Sequence, residues 1–216
     1  MNSTKQAYLF LAGDCPQPYP GDLPCEQGFI VAVDGGYQHL SRLGLEPGLL
    51  LGDFDSLDPT LIPEIETAGV EVQRFPQIKD NSDTDLACEE LYRRGYRLCY
   101  LFGALGGARF DHSLGNIGLL YLWKCRGLRL VILQSNLRIE VISAETLILP
   151  CHKDDLISLL PLTPRVERVT TRGLHYPLQA ETIYYGVSRS LSNVATTEEF
   201  QVTAGEGTLL VMHYRH

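Results

Sequence analysis

The sequence of 216 residues lacks any apolar run as long as the roughly 18 residues that a membrane-spanning helix requires. Residues 7–15 resemble a lipoprotein signal only loosely, because the apolar part is very short and Asp14 interrupts it before Cys15. A buried first strand is the better interpretation of this segment. We therefore expect a cytoplasmic protein with no membrane partner.

The chain also lacks paired cysteines. None of its six cysteines has the Cys-x-x-Cys spacing of a zinc or redox site. They lie in apolar stretches, as Cys99 does between Leu98 and Tyr100. This pattern predicts reduced core cysteines, which are typical of a cytoplasmic protein.

Basic residues are few. The 18 Lys and Arg residues face 26 Asp and Glu residues, which gives a net charge of −8. Because phosphates repel an acidic chain, general binding to nucleic acids is excluded. A single anionic ligand can still bind through local cations or a metal ion.

The first two thirds of the chain alternate between short apolar runs and helical patterns, which predicts a domain over residues 1–134. The expected fold is α/β, with a mostly parallel, Rossmann-like sheet flanked by helices. Strands are predicted over residues 7–12, 29–33, 49–51, 70–75, 97–102 and 128–133, and helices over 37–43, 61–68, 84–94 and 113–125.

From residue 135 to residue 216 no long helical pattern occurs. Short apolar runs are separated by turn residues, which predicts a smaller all-β domain, a sandwich or a barrel. Strands are expected over residues 138–142, 146–149, 156–160, 165–170, 181–185 and 208–213.

Polar clusters follow four of the predicted parallel strands, where ligands bind in such sheets. Asp34 follows the second strand, and Asp53 and Asp55 follow the third. If the chain stays extended there, both carboxylates of the latter pair point to the same side and suit Mg²⁺. Asp80 and Asp83 form a second acidic pair beside Lys79. For either pair, an ordinary acidic loop or a helix cap is the alternative, with Ser82 or Asp83 as the cap of the next helix.

Residues 103–107 form a glycine-rich turn that fits neither the P-loop nor the dinucleotide-binding pattern. Its backbone N–H groups suit a phosphate, although a plain tight turn is the alternative. Arg109 can hold a phosphate through two nitrogens, and His112 can donate to phosphate or cap the helix. From the residues alone, we expect a metal-dependent enzyme that acts on a phosphorylated ligand, a nucleotide, and the acceptor stays open.

The ordered motifs resemble the thiamine pyrophosphokinase family over nearly the whole chain. They are Val33-Asp34-Gly35-Gly36, Gly52-Asp53-Phe54-Asp55-Ser56, Lys79-Asp80-Asn81-Ser82-Asp83, the segment from Gly103 to His112, and the late segments 171–178 and 186–193. The resemblance implies transfer of a diphosphoryl group from ATP to the thiamine hydroxyl, which yields thiamine diphosphate and AMP. It also implies a homodimer whose active sites form between subunits and between domains.

The resemblance assigns roles to individual residues. Asp53, Asp55 and Asp83 would hold Mg²⁺. Asp34, Gly35, Lys79, Asp80, Gly106, Gly107, Arg109 and His112 would surround the nucleotide, and Ser190, Ser192 and Asn193 would receive thiamine. Asp80 is also a candidate acceptor for the hydroxyl proton.

The sequence departs from the family pattern at two positions. Ala108 is an extra residue between the glycine pair and Arg109, and Ser82 replaces the usual Thr. Two other functions are alternatives. One is a phosphohydrolase that uses Asp53 as a nucleophile, which leaves the glycine turn and the β-rich half unexplained. The other is a nucleotide sensor without catalysis.

Overall fold

The computed structural model describes residues 5–15, 28–55, 57–58, 60–78 and 80–216. The chain divides into two compact units, Met1–Ser135 and Asn136–His216. None of the helices in the described residues combines the length with the apolar character that a membrane crossing needs.

Within its described residues, the first unit has six strands that pair in parallel. They are β1 (Gln6–Phe10), β2 (Phe29–Val33), β3 (Leu49–Gly52), β4 (Glu71–Arg74), β5 (Leu98–Phe102) and β6 (Arg129–Gln134). Their order across the sheet is β6-β5-β1-β2-β3-β4. The chain runs outward from β1 to β4 and then returns to the other side of β1, so the direction of winding reverses between β1 and β5.

Four helices are described in this unit: α1 (Gly36–Leu43), α2 (Leu61–Thr67), α3 (Asp83–Arg93) and α4 (Phe110–Arg126). Ser82 caps α3, since its Oγ accepts a hydrogen bond of 3.2 Å from the Asp85 N–H. The predicted start of α4 at residue 113 is wrong, because the helix begins at Phe110. Phe110, Asp111 and His112 are exposed, so no apolar periodicity marks this first turn.

The core of the first unit is built from alternate strand residues. Tyr8 and Phe10 of β1 pack in one cluster with Leu40 of α1 and Ile65 of α2. The intervening residues, such as Leu9, are buried as well. Burial on both faces explains why these strands are continuous apolar runs in the sequence.

The second unit contains strands and no helix. Its strands are β7 (Leu137–Ser143), β8 (Thr146–Pro150), β9 (Leu156–Pro161), β10 (Arg165–Arg172), β11 (Glu181–Tyr184), β12 (Asn193–Val194), β13 (Glu199–Thr203) and β14 (Thr208–Tyr214). They form two antiparallel arrays, in the orders β12-β9-β14-β7 and β11-β10-β13-β8. Residues from both arrays, including Leu159, Val166, Phe200 and Leu209, share one core.

The sequence prediction omitted two strands of this unit. β12 has only two residues, too few for any periodicity to appear. β13 carries only Phe200 and Val202 as buried apolar residues, and polar residues precede it. Both strands are defined by pairing with distant segments, which a local pattern does not reveal.

Candidate active site

A cleft of about 280 Å³ lies in the first unit where the parallel strands end. Its lining comes from the end of β2, from the loops after β1, β2, β3 and β5, from the first turn of α3 and from the first two turns of α4. These residues are Leu11, Ala12, Gly13, Val33, Asp34, Asp53, Asp55, Asp83, Thr84, Gly103, Ala104, Gly106, His112, Ser113 and Asn116. Most of the residues predicted to carry chemistry in this half are therefore brought together here.

The Asp53–Phe54–Asp55 stretch, here called the acidic turn, does not stay extended after β3. Phe54 has a φ of 62°, in the left-handed region that residues with side chains rarely adopt. The N–H of Phe54 donates a hydrogen bond of 3.1 Å to Asp34 Oδ1, and the N–H of Asp55 donates one of 3.1 Å to Asp53 Oδ1. Asp53 and Asp55 face the same cleft because the chain bends between them, rather than because it continues as a strand.

The Phe54 side chain anchors the acidic turn in the core of the first unit. It is 6% exposed and belongs to the core of the first unit. The Arg74 guanidinium lies 5.4 Å from the centroid of its ring. Asp34 thus holds the backbone of the acidic turn, and the core holds the Phe54 side chain.

Asp83 and Thr84 reach the cleft from the first turn of α3. Asp80 is exposed and does not line the cleft, and Lys79 and Ser56 lie outside the described residues. The carboxylates of Asp53, Asp55 and Asp83 are hard oxygen donors of the kind that Mg²⁺ prefers. Within the described part of the chain, no three Asp, Glu, His or Cys side chains already converge as a ligand set.

Asp85 has a more specific role than the interaction with the helix dipole that is typical of a first-turn residue. Its Oδ1 accepts a hydrogen bond of 2.7 Å from Trp123 Nε1. Trp123 is the only tryptophan of the chain and is 2% exposed. This bond ties α3, which carries Asp83, to α4.

The glycine turn at residues 103–107 is held on both sides by hydrogen bonds. From α4, Ser113 Oγ accepts from the Gly106 N–H at 3.1 Å, and Asn116 Nδ2 donates to the Ala104 carbonyl at 2.8 Å. From the loop after β1, the Gly13 N–H donates to the Gly103 carbonyl at 2.8 Å. The turn therefore has a fixed shape before any ligand binds, as a phosphate-binding loop requires.

A histidine on α1 supports this arrangement. His39 Nε2 lies 2.9 Å from the Gly13 carbonyl and forms a hydrogen bond with it. His39 also borders a second cavity of about 690 Å³, which shares Gly13 with the cleft. Gly35, predicted to bind the nucleotide, lines this second cavity rather than the first.

Arg109 is not aimed into the cleft. Its guanidinium is exposed and donates two hydrogen bonds to the Asp111 carboxylate, at 2.9 and 2.6 Å. The hydrogen bonds from Arg109 lower the pKa of Asp111 to about 2, and Asp111 raises the pKa of Arg109. Gly107 is exposed as well. Of Gly107, Arg109, Asp111 and His112, only His112 lines the cleft.

Sequence reasoning missed four polar or backbone contributors to the cleft: Gly13, Thr84, Ser113 and Asn116. Gly13 and Thr84 stand outside any recognisable pattern. Ser113 and Asn116 are three positions apart on α4, directly after the glycine turn. That spacing places both side chains on one helix face and was the available signal.

In the second unit, a cavity of about 500 Å³ is lined by all three residues predicted to receive thiamine. Two of them already serve the fold. Ser190 Oγ donates to the Leu159 carbonyl at 2.7 Å, and Asn193 exchanges hydrogen bonds with the backbone of Tyr176 at 3.0 and 2.8 Å. Ser192 is exposed, and its backbone N–H donates to Ser158 Oγ at 2.9 Å. Its hydroxyl is thus the best placed of the three to meet a ligand.

Comparison with protein families gives two matches along the chain. Residues 23–132 match the family described as "Thiamin pyrophosphokinase, catalytic domain". Residues 142–209 match the family described as "Thiamin pyrophosphokinase, vitamin B1 binding domain". The two matches fall within the first and the second unit.

Individual proteins are similar over most of their length. Thiamine pyrophosphokinase of Bacillus subtilis strain 168 is 28% identical over 197 residues, which cover 87% of each chain. Thiamine pyrophosphokinase 1 of rice (Oryza sativa subsp. japonica) is 27% identical over 185 residues, 81% of this chain and 69% of its own. The crystal structure of a thiamin pyrophosphokinase family protein from Enterococcus faecalis superposes with a TM-score of 0.82 at 26% identity, covering 98% of this chain and 99% of its own.

Proposed function

Because the chain belongs to the thiamine pyrophosphokinase family, we propose that the cleft of its first unit is where a diphosphoryl group passes from ATP to the hydroxyl of thiamine. The chain is an enzyme of ATP-dependent thiamine diphosphate formation, as its family implies. The observation that carries the assignment to this cleft is the meeting of Asp53, Asp55 and Asp83 with the glycine turn. Acidic metal ligands beside backbone N–H donors are what phosphoryl transfer requires.

Asp53, Asp55 and Asp83 are proposed to hold Mg²⁺. Their oxygen donors fit this ion, and they line one cleft from two different elements. When bound, Mg²⁺ would neutralise charge on the phosphates. The three carboxylates would hold the ion beside the glycine turn, where the ATP polyphosphate is proposed to lie. Asp80, exposed ahead of the Ser82 cap, stays the candidate acceptor for the hydroxyl proton.

The nucleotide is proposed to contact the glycine turn at Gly106 and Gly107, with His112 donating from α4. Because the Gly106 N–H already donates to Ser113 Oγ, the Gly107 N–H is the backbone donor proposed for the phosphate. The place of these residues at a helix N-terminus supports binding of an anion. Gly35, Lys79, Asp80 and Arg109 are also proposed to surround the nucleotide, as the family resemblance implies. Among these, Arg109 has to exchange its bonds with Asp111 for bonds with phosphate.

The second unit is proposed to bind thiamine in the cavity beside Ser190, Ser192 and Asn193. Hydroxyl and amide groups can match the donors and acceptors of a pyrimidine, and apolar Leu159 lines the same cavity. In this proposal residues 1–134 form a Rossmann-like domain that binds nucleotide and metal. Residues 135–216 form a β-sandwich for thiamine binding and dimerisation, which the core shared by its two antiparallel arrays supports.

We further propose a cytoplasmic homodimer. Tyr176, Tyr184 and Tyr185 are exposed in the second unit, and such side chains often mark a protein interface. The five described cysteines are free thiols, which agrees with a reducing compartment. A chain that is monomeric by light scattering and fully active in an assay would contradict the dimer.

The reaction is tested by incubating the purified chain with ATP, Mg²⁺ and thiamine and separating the products by chromatography. We expect thiamine diphosphate and AMP in equal amounts, and neither product without thiamine. Release of free phosphate with no AMP would support a phosphohydrolase instead. Nucleotide binding without any turnover would support a sensor.

A further inference from the structure

We propose that Asp34 is a positioning residue that holds the acidic turn in shape, rather than a ligand of the nucleotide. The inference rests on the proposed function of the cleft as the metal site. It concerns a residue whose place in the cleft, together with the family resemblance, had suggested contact with ATP.

Asp34 forms two hydrogen bonds, one with the end of β3 and one with the acidic turn. Its backbone N–H donates to the Leu51 carbonyl at 3.0 Å, and its Oδ1 accepts from the Phe54 N–H at 3.1 Å. The two contacts straddle Gly52. Asp34 thus bridges the end of β3, through its backbone, and the acidic turn, through its side chain.

Gly52 leaves just enough room for this carboxylate. A Cβ added to Gly52 would lie 1.8 Å from Asp34 Oδ1, far inside van der Waals contact. Gly52 also has a φ of 150°, which side chains disfavour. The absence of a side chain at residue 52 is therefore needed for the contact between Asp34 and the acidic turn.

The bond matters because Phe54 is left-handed. This conformation is unfavourable for a residue with a Cβ and persists only where the surroundings enforce it. Asp34 fixes the Phe54 amide, while the core fixes the Phe54 ring. Without the Asp34 acceptor, the turn can relax toward an extended form. Asp53 and Asp55 would then no longer be held in their present arrangement toward the cleft.

The role requires an acceptor oxygen at this position and does not require a negative charge. Asp34→Asn keeps an oxygen that can accept from the Phe54 N–H, whereas Asp34→Ala removes it. Gly52→Ala perturbs the same contact from the other side by displacing the carboxylate. Asp58→Ala is a matched control, because exposed Asp58 also accepts backbone and hydroxyl bonds from Thr60 but does not line the cleft.

The experiment measures three quantities for each variant: Mn²⁺ affinity by electron paramagnetic resonance, hydrogen exchange of the Phe54 amide by NMR, and the KM for ATP at saturating Mg²⁺. For Asp34→Ala and Gly52→Ala we expect at least about tenfold weaker Mn²⁺ binding, as for other residues that orient metal ligands. We also expect faster exchange at Phe54 and a KM for ATP within about twofold of wild type. Asp34→Asn and Asp58→Ala should match wild type in all three quantities.

The Asn variant decides the matter even if Asp34→Ala proves too unstable to purify. An Asp34→Asn enzyme with a raised KM for ATP, or with Mn²⁺ binding as weak as in Gly52→Ala, would overturn the proposal and make the carboxylate a direct ligand. Wild-type protein that forms no thiamine diphosphate would refute the proposed function. The Mn²⁺ and amide-exchange measurements would still decide the role of Asp34.

Discussion

Arg109 and Asp111 form a closed pair, in which Nε and Nη2 of the arginine donate to the two oxygens of the carboxylate at 2.9 and 2.6 Å. Both side chains are exposed, at 68% and 63%. The pair uses the edge of the guanidinium that would otherwise hold two phosphate oxygens. If Arg109 binds phosphate as proposed, Asp111 competes with ATP for it.

The competition predicts opposite effects at the two positions. Arg109→Lys should raise the KM for ATP by about tenfold, because an ammonium cannot hold two oxygens at fixed geometry. Asp111→Asn should lower the KM for ATP, since the arginine is then less firmly engaged. Steady-state kinetics at saturating thiamine and Mg²⁺ measure both. An Arg109→Lys enzyme with unchanged kinetics would show that the pair is only structural.

A second prediction concerns the acidic turn itself. Asp53→Asn and Asp55→Asn should each reduce turnover at limiting Mg²⁺ by about a hundredfold or more, because each removes the charge of a proposed metal ligand and the stabilisation of the transition state that would depend on it. The circular dichroism spectrum should stay that of wild type, as neither side chain is in the core. Asp58→Asn, in the same connection between β3 and α2 but outside the cleft lining, is the control and should retain full activity.

The third prediction separates the residues of the cavity in the second unit. Ser192→Ala should raise the KM for thiamine by about fivefold, equivalent to about 1 kcal/mol for one hydrogen bond, and leave the KM for ATP unchanged. Ser190→Ala should instead lower the free energy of unfolding by about 1–2 kcal/mol, because the buried Leu159 carbonyl loses its donor. Unchanged thiamine kinetics in Ser192→Ala would remove this residue from the site.

The fourth prediction concerns the bond between Trp123 and Asp85. A double-mutant cycle with Trp123→Phe and Asp85→Ala should give a coupling energy of about 1.5–3 kcal/mol, the range for a hydrogen bond to a charged group. The cycle cancels the cavity that Trp123→Phe leaves in the core. Urea unfolding followed by circular dichroism supplies the four stabilities. A coupling energy near zero would contradict a direct bond between the two helices.

A buried pair in the second unit leads to the fifth prediction. His213 Nε2 lies 2.7 Å from Asp155 Oδ2, and both side chains are 1% exposed. Burial lowers the pKa of His213, and the Asp155 carboxylate only partly opposes this shift. Within the described residues His213 Nδ1 has no hydrogen-bond partner, so a proton added there would find no acceptor. Burial alone would raise the pKa of Asp155, but N–H groups of His216 and His152 and the bond from His213 outweigh it and lower the pKa.

Both shifts destabilise the fold in acid. As pH falls below 6.5, the ordinary pKa of histidine, the unfolded chain takes up a proton at residue 213 before the folded chain does. Stability should thus decline by up to about 1.4 kcal/mol per pH unit until the folded pKa is passed. A second decline, from Asp155, begins near its ordinary pKa of 3.8. Unfolding measured from pH 8 to pH 4 should show the first decline in wild type and in His152→Gln, and its loss in His213→Gln.

Local sequence patterns were enough for much of the sheet. The apolar run Phe29-Ile30-Val31-Ala32-Val33 has the bounds of β2, because burial on both faces leaves no room for polar residues. The polar residues that follow the strands likewise predicted the position of the cleft, because the carboxyl ends of parallel strands meet at one edge of the sheet.

What could not be predicted depends on contacts between distant residues. The left-handed Phe54 is stabilised by Asp34, 20 positions earlier, and no local pattern encodes that bond. Arg109 looked free to bind phosphate, yet its partner Asp111 is only two positions away. In that case the sequence contained the pair, and the electrostatic attraction between the two side chains was overlooked.

The hydrogen bonds around Asn193 limit how two copies of the chain can join. The Asn193 side chain is hydrogen-bonded to both the N–H and the carbonyl of Tyr176. The His175 N–H donates to the Val194 carbonyl at 2.9 Å. The side of β12 away from β9 is therefore already covered by a segment of the same chain. A second subunit cannot add a strand there, so growth into an open-ended assembly along this edge is blocked. Any homodimer contact at this place has to be made by side chains.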